Sequence, residues 1–191
     1  MHHEHTPAGL CLQAFALWQA EDATDDSHAY WTVDNDTSNG VEVSARTSSR
    51  RANKWVHKLH SYEDFWRAVG RSPRENTRNL STLPSGERRL GQWGRYQRRF
   101  EDNLCRYQEI RLDVSPAFRW DPHEEAWQAR LDACIKLRET TGRLPYLHSS
   151  DAIEFSHARW LARQLRQLQY GTQPPTRAVR LEAFLTERST R

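Results

Sequence analysis

The chain has 191 residues, enough for one domain or two small ones. It is 37% hydrophobic and 28% charged, with a mean hydropathy of −0.93, low for a globular protein. No apolar run reaches 18 residues, which argues against a transmembrane helix, and eight Trp, six Tyr and six Phe favour small aromatic-centred cores over one large aliphatic core.

The net charge of +3 conceals an asymmetry. Residues 1–45 hold eight Asp or Glu and no Lys or Arg, a charge of −8, whereas residues 46–191 carry +11. A basic body behind an acidic head bears on partners rather than on fold. Lys54, Lys58 and Lys136 are the only lysines, and every other basic residue is Arg. This accords first with a G+C-rich gene, a reading compatible with bidentate recognition of phosphate and guanine. Cys11, Cys105 and Cys134 are odd in number and lack C-x-x-C spacing, as expected of reduced thiols in a cytoplasmic protein. The histidines of "MHHEH", and His57 with His60, form no metal-ligand pattern, so no metal or other cofactor is expected.

The elements are mainly helical. The acidic N-terminal segment, 1–45, opens with "AGLCLQAFALWQA" (8–20), which lacks a basic stretch before it and so does not read as a secretory signal. A short helix is expected over 10–21, anchored by Leu10, Phe15, Leu17 and Trp18. "HAYWTV" (28–33) and "GVEVS" (40–44) around "DNDTSN" predict a β-hairpin. This head has three conceivable uses: ordinary structure docked on the body, a site for a partner protein, or a shield whose carboxylates compete with DNA. A linker is expected over 46–53.

The remainder is an internal duplication, giving one unit over 54–120 and a second over 121–191. An offset of 72 lays "WVHKLHSYEDFWRAVGRSP" on "WQARLDACIKLRETTGRLP", matching Trp55 to Trp127, Leu59 to Leu131, Gly70 to Gly142 and Arg71 to Arg143. An offset of 67 matches Trp93 to Trp160, Gln97 to Gln164 and Arg99 to Arg166, and one of 69 lays "IRLD" (110–113) on "VRLE" (179–182). Each unit reads as a three-helix bundle. Trp55, Leu59, Tyr62, Trp66 and Val69 keep helical spacing up to Gly70, and Asp121-Pro122 opens a helix whose stripe of Trp127, Leu131, Cys134 and Ile135 ends at Gly142. The second helices carry "LGQWGRYQRRF" (90–100) and "DAIEFSHARWLARQLRQLQY" (151–170), and the third ones Ile110 and Leu112, or Val179, Leu181, Phe184 and Leu185.

These residues resemble the helicase-associated domain family, whose pattern is an opening Trp, a Gly-Arg-x-Pro turn, Leu-Gly-x-Trp followed by Gln-Arg, then Arg-Leu and a closing Trp. The first copy supplies Trp55, "GRSP" (70–73), "LGQW" (90–93), "YQRR" (96–99), "IRLD" and Trp120. The second departs from the pattern: "HARW" (157–160) replaces "LGQW", Leu follows Gln164, and no closing Trp is present. The resemblance covers residues 54–190 and implies tandem three-helix units with a nucleic-acid-binding role, beside a helicase or other DNA-processing machinery. No Walker or DEAD-type motor motif occurs in the chain.

Projected at 100° per residue, Leu90, Trp93, Gln97 and Phe100 share one side of the first copy's second helix, and Arg88, Arg95, Arg98 and Arg99 the other, with Gly91 among them. In the second copy Ile153, Trp160, Leu161, Gln164 and Leu168 oppose Arg159, Arg163 and Arg166, with Tyr170 beside these. Nearly all-positive faces suit elements lying against phosphates, where arginines release condensed counterions. Trp93 and Trp160 read as core residues rather than stacking platforms. Gln97 and Gln164 either satisfy groups where helices meet or read base edges. Gly91 and Gly94 allow close approach of another protein element or of a DNA strand, and Arg71 and Arg143 either cap helices or contact phosphate.

The leading expectation is a non-enzymatic nucleic-acid-binding protein, foremost for double-stranded DNA with RNA left open, without a small-molecule substrate or membrane partner. The alternative is a protein-interaction adaptor. Carboxylate pairs such as Glu63/Asp64 and Glu124/Glu125 are adjacent and so point to different helix faces, and no Ser/His/Asp or Cys/His set is evident.

Overall fold

A computed structural model describes residues 6–20, 26–41, 49–75 and 82–186. Among these the chain forms eight α-helices and no strand. Residues up to Trp120 cluster into one compact unit, and those from Asp121 onward into another.

The first unit contains α1 (Pro7–Ala20), α2 (Ser27–Ser38), α3 (Arg50–Val69), α4 (Ser85–Arg99) and α5 (Arg106–Asp113), with a 3₁₀ turn at Glu101–Asn103 before α5. It exceeds the expected three-helix bundle, because the acidic segment is packed within it. Helix α1 lies on α2 and α5, and α2 also lies on α3. Leu10, Cys11, Ala14 and Trp18 of α1 are buried, and the Phe15 ring stacks on Trp31 at 4.6 Å between centroids.

"HAYWTV" is helical, not a strand. Its β-branched and aromatic composition favours extended backbone locally, but Ser27, Tyr30, Val33 and Asp34 are the buried positions, and their spacing of three and four is that of a helix face. The other expected strand, 40–44, lies outside the described residues beyond Val41. The expected linker is shorter too: Ser49 caps α3 by accepting from the Ala52 amide, so 50–53 form its first turn, and 42–48 lie outside the description.

A buried polar cluster joins these helices. Arg111 of α5 is fully enclosed; its Nε donates to Asp34 Oδ2 at 2.8 Å, and its two Nη atoms donate to the two oxygens of Glu63 at 2.7 and 3.0 Å. Tyr107 also donates to Asp34 Oδ2 at 2.8 Å, His60 Nε2 lies 2.6 Å from Asp34 Oδ1, and Ser115 donates to Glu63. Helices α2, α3 and α5 thus share one guanidinium. Burial alone would raise the Asp34 carboxyl, but Arg111, with His60 and Tyr107, holds it down at about 2.

The second unit holds α6 (Pro122–Thr141), α7 (Ala152–Gln169) and α8 (Pro175–Thr186) around Trp127, Leu131, Cys134, Trp160, Leu161, Leu181 and Phe184. Asp121 accepts from the Glu124 amide, Pro122 stands in the first turn, and Gly142 closes α6 at φ 69°, as Gly70 closes α3 at φ 73°. Ile153 does not join the apolar side of α7; it is 67% exposed, and Glu154 beside it is buried in its place.

Because the folded Asp34 carboxyl sits below its ordinary value of 3.8, its contribution is complete above that pH and is lost as pH falls towards 2. Asp34→Asn should lower stability at neutral pH by roughly 3–5 kcal/mol, since it leaves the buried arginine underpaired, and should flatten the acid limb between pH 4 and 2. Urea unfolding at several pH values measures both.

Candidate nucleic-acid interface

Helix α4 of the first unit and α7 of the second are held by the same two contacts. Trp55 Nε1 donates to Gln97 Oε1 at 2.9 Å, and Trp127 Nε1 donates to Gln164 Oε1 at 2.8 Å. All four residues are buried. Each glutamine therefore satisfies the indole of the opening Trp, tying α3 to α4 and α6 to α7, and Gln164 also accepts from Gln173 at 3.0 Å. These carbonyl oxygens face the core, so base-edge readout finds no support in their placement.

The second contact is an arginine–glutamate clamp across the turn between the two helices. Arg71 donates to Glu87 at 2.7 Å, and Arg143 donates to Glu154 through both Nη atoms. Each carboxylate also accepts a backbone N–H from the same turn, Arg74 in one unit and Tyr146 in the other, both at 3.0 Å. These hydrogen bonds, led by those from the arginines, lower the pKa of both carboxyls, Glu154 to about 2 with further help from Ser149. Arg71 and Arg143 are thus committed to fixing the turn and are withdrawn from the list of phosphate contacts. The glutamates escaped the sequence reading, although the offset of 67 that pairs Gln97 with Gln164 also pairs Glu87 with Glu154.

Glu87, Gly91, Gly94 and Arg98 form one stripe of α4, at spacings of four, three and four. Gly91 is buried rather than set among exposed arginines: a Cβ there would run into the carbonyl oxygen of Arg74. At Gly94 a Cβ would come within 3.0 Å of the Tyr62 ring. The glycines therefore admit the turn after α3 and the Tyr62 side chain, not a nucleic-acid strand. Arg98 belongs to this stripe too. Its side chain is 13% exposed and is engaged with Glu75, the Arg119 carbonyl and the Phe118 ring, so it leaves the candidate face.

Trp93 lies in the first core, near Trp55, Tyr62 and Phe118, and Trp160 packs on Trp127. Both are core residues. The closing Trp120 donates to Asp113, the last residue of "IRLD", at 2.6 Å, and its ring meets Phe118 edge-on.

Arg88, Arg95 and Arg99 remain on the outer side of α4, and Arg159, Arg163 and Arg166 on that of α7. Five are exposed and Arg88 is half-exposed. None forms an ion pair with a described residue; Arg99 lies over Phe100 and Arg159 over Phe155. No helix among the described residues is long and apolar enough to cross a membrane. Comparison with protein-family models, curated proteins and solved structures finds no match to this chain.

Gln164→Leu should destabilise the second unit by about 1–3 kcal/mol, because it leaves the buried Trp127 N–H without an acceptor. Thermal unfolding monitored by tryptophan fluorescence measures the loss; unchanged stability would contradict the structural role.

Proposed function

We propose that the protein binds nucleic acid, duplex DNA foremost, through the outer arginine faces of α4 and α7. One observation carries the reading: the arginines divide into two populations. Arg71, Arg98, Arg111 and Arg143 are each paired with a carboxylate, and three of them hold their unit's turns or helices together. Arg88, Arg95, Arg99, Arg159, Arg163 and Arg166 stand outside these contacts. A folded domain gains little from arginines left unpaired on two equivalent helices, whereas a polyanion gains counterion release from each one it meets. The likeness to helicase-associated domains adds a place beside a helicase or other DNA-processing machinery.

Sequence-independent backbone binding suits this arrangement, since the glutamines with base-reading chemistry are committed to indoles. Of the acidic head's eight carboxylates, Asp34 is spent on Arg111 and is not free to act as a shield. The adaptor reading rests on Leu12 and Leu17, which are exposed on the otherwise core-forming α1.

Titration of a DNA duplex at several salt concentrations tests the proposal. Affinity should fall steeply with salt, and Arg95→Ala/Arg99→Ala should reduce the log–log slope by about 2 while weakening all sequences alike. Binding without salt dependence, or an unchanged slope in the double variant, overturns it. Partner capture that needs Leu12 and Leu17 but no DNA would favour the adaptor.

A further inference from the structure

The arginines of the second unit do more than coat a helix. Arg130 of α6 and Arg159 and Arg163 of α7 line a shared open concavity of about 310 Å³, together with Ser156 and Phe155. No carboxylate lines it. Arg130, like the other two, makes no ion pair with a described residue, and the Arg159 guanidinium lies 5.7 Å from the Phe155 ring centroid, a contact that holds it against the wall. Three like charges around one hollow repel each other and bring no stability to the fold. An anion in the hollow reverses that sign, and Ser156 adds a hydroxyl donor.

From this geometry we infer an oxyanion pocket that seats a single phosphate group. Guanidinium forks match the tetrahedral oxygens of phosphate, and a volume of this size admits the group with part of its water. The inference rests on the nucleic-acid reading only for the source of the phosphate, which is then a backbone diester or a strand-terminal monoester. The site is particular to the second unit. The offsets of 72 and 67 put Lys58 at the place of Arg130, Gln92 at that of Arg159 and Tyr96 at that of Arg163, so the first copy does not repeat the trio.

The test is an NMR titration of the full chain with inorganic phosphate at constant ionic strength, following the arginine Nε–H resonances. Saturable shifts at Arg130, Arg159 and Arg163, absent at Arg95 and Arg99 and lost in Arg130→Ala/Arg163→Ala, are expected. Shifts spread evenly over all exposed arginines, or no saturation, overturn the pocket. Duplexes with and without 5′-phosphates then compete with inorganic phosphate. Displacement by both forms assigns the seat to the backbone diester, and displacement by the phosphorylated form alone assigns it to the strand end. If phosphate saturates the trio while no duplex binds, the pocket stands and the nucleic-acid reading falls. If duplex binds with unchanged affinity in Arg130→Ala/Arg163→Ala and does not displace phosphate, the pocket's role in that binding falls, Arg163 leaves the nucleic-acid face, and that reading is confined to the remaining outer arginines.

Discussion

A guanidinium sealed between three helices constrains the whole first unit. Arg111 has no access to water, so its charge is tolerable only with every N–H donor group facing a carboxylate. Those carboxylates come from α2 and α3, which fixes both against α5. Such a cluster is not in itself a large source of stability, since desolvation offsets much of the attraction. Its effect is specificity of assembly: a partner removed leaves a buried charge exposed to a low dielectric. Through Asp34, the acidic head becomes a structural part of the domain rather than a tail appended to it.

The same logic sorts the other arginines. Where a turn between helices must be held, one Arg–Glu pair with a backbone N–H on the same carboxylate does it, and both units have this device. The Trp–Gln hydrogen bond is the second device that both units have. Once these needs are met, six arginines without a carboxylate partner among the described residues lie on the outer sides of α4 and α7. Their meaning follows from what they do not do for the fold. Gly91 and Gly94 correspond to Ala158 and Leu161, so the second copy does not repeat the pair of glycines that the turn and Tyr62 approach in the first.

Much of the helical body was legible because local signals agree there. Tryptophans and leucines at spacings of three and four, Gly70 and Gly142 at helix ends, and Asp121-Pro122 at a helix start all act within a few residues. In the head the first helix was legible, as α1 over Pro7–Ala20 shows, but the segment after it was not, because its local and tertiary signals conflict. "HAYWTV" has strand composition, and only packing of Tyr30, Val33 and Asp34 against distant helices makes it helical. Arg111 gave no hint within "IRLD", as its partners stand 77 and 48 residues away. In the candidate face, the helical projection separated core from surface but placed Arg98 and Gly91 on the wrong side of that boundary. The turn after α3 covers a stripe that a two-sided projection treats as solvent-facing. Glu87 and Glu154 were readable in principle from the repeat offset, since a carboxylate kept at the same place in two copies has a shared task.

Arginine-selective chemical modification, with and without a saturating DNA duplex, tests the division of the arginines most directly. Arg71, Arg98, Arg111 and Arg143 should react slowly in both states, held by their carboxylates, while Arg88, Arg95, Arg99, Arg159, Arg163 and Arg166 should react readily alone and be protected by the duplex. Protection absent from those six, or confined to the paired four, would contradict the assignment of the outer arginine faces to nucleic acid.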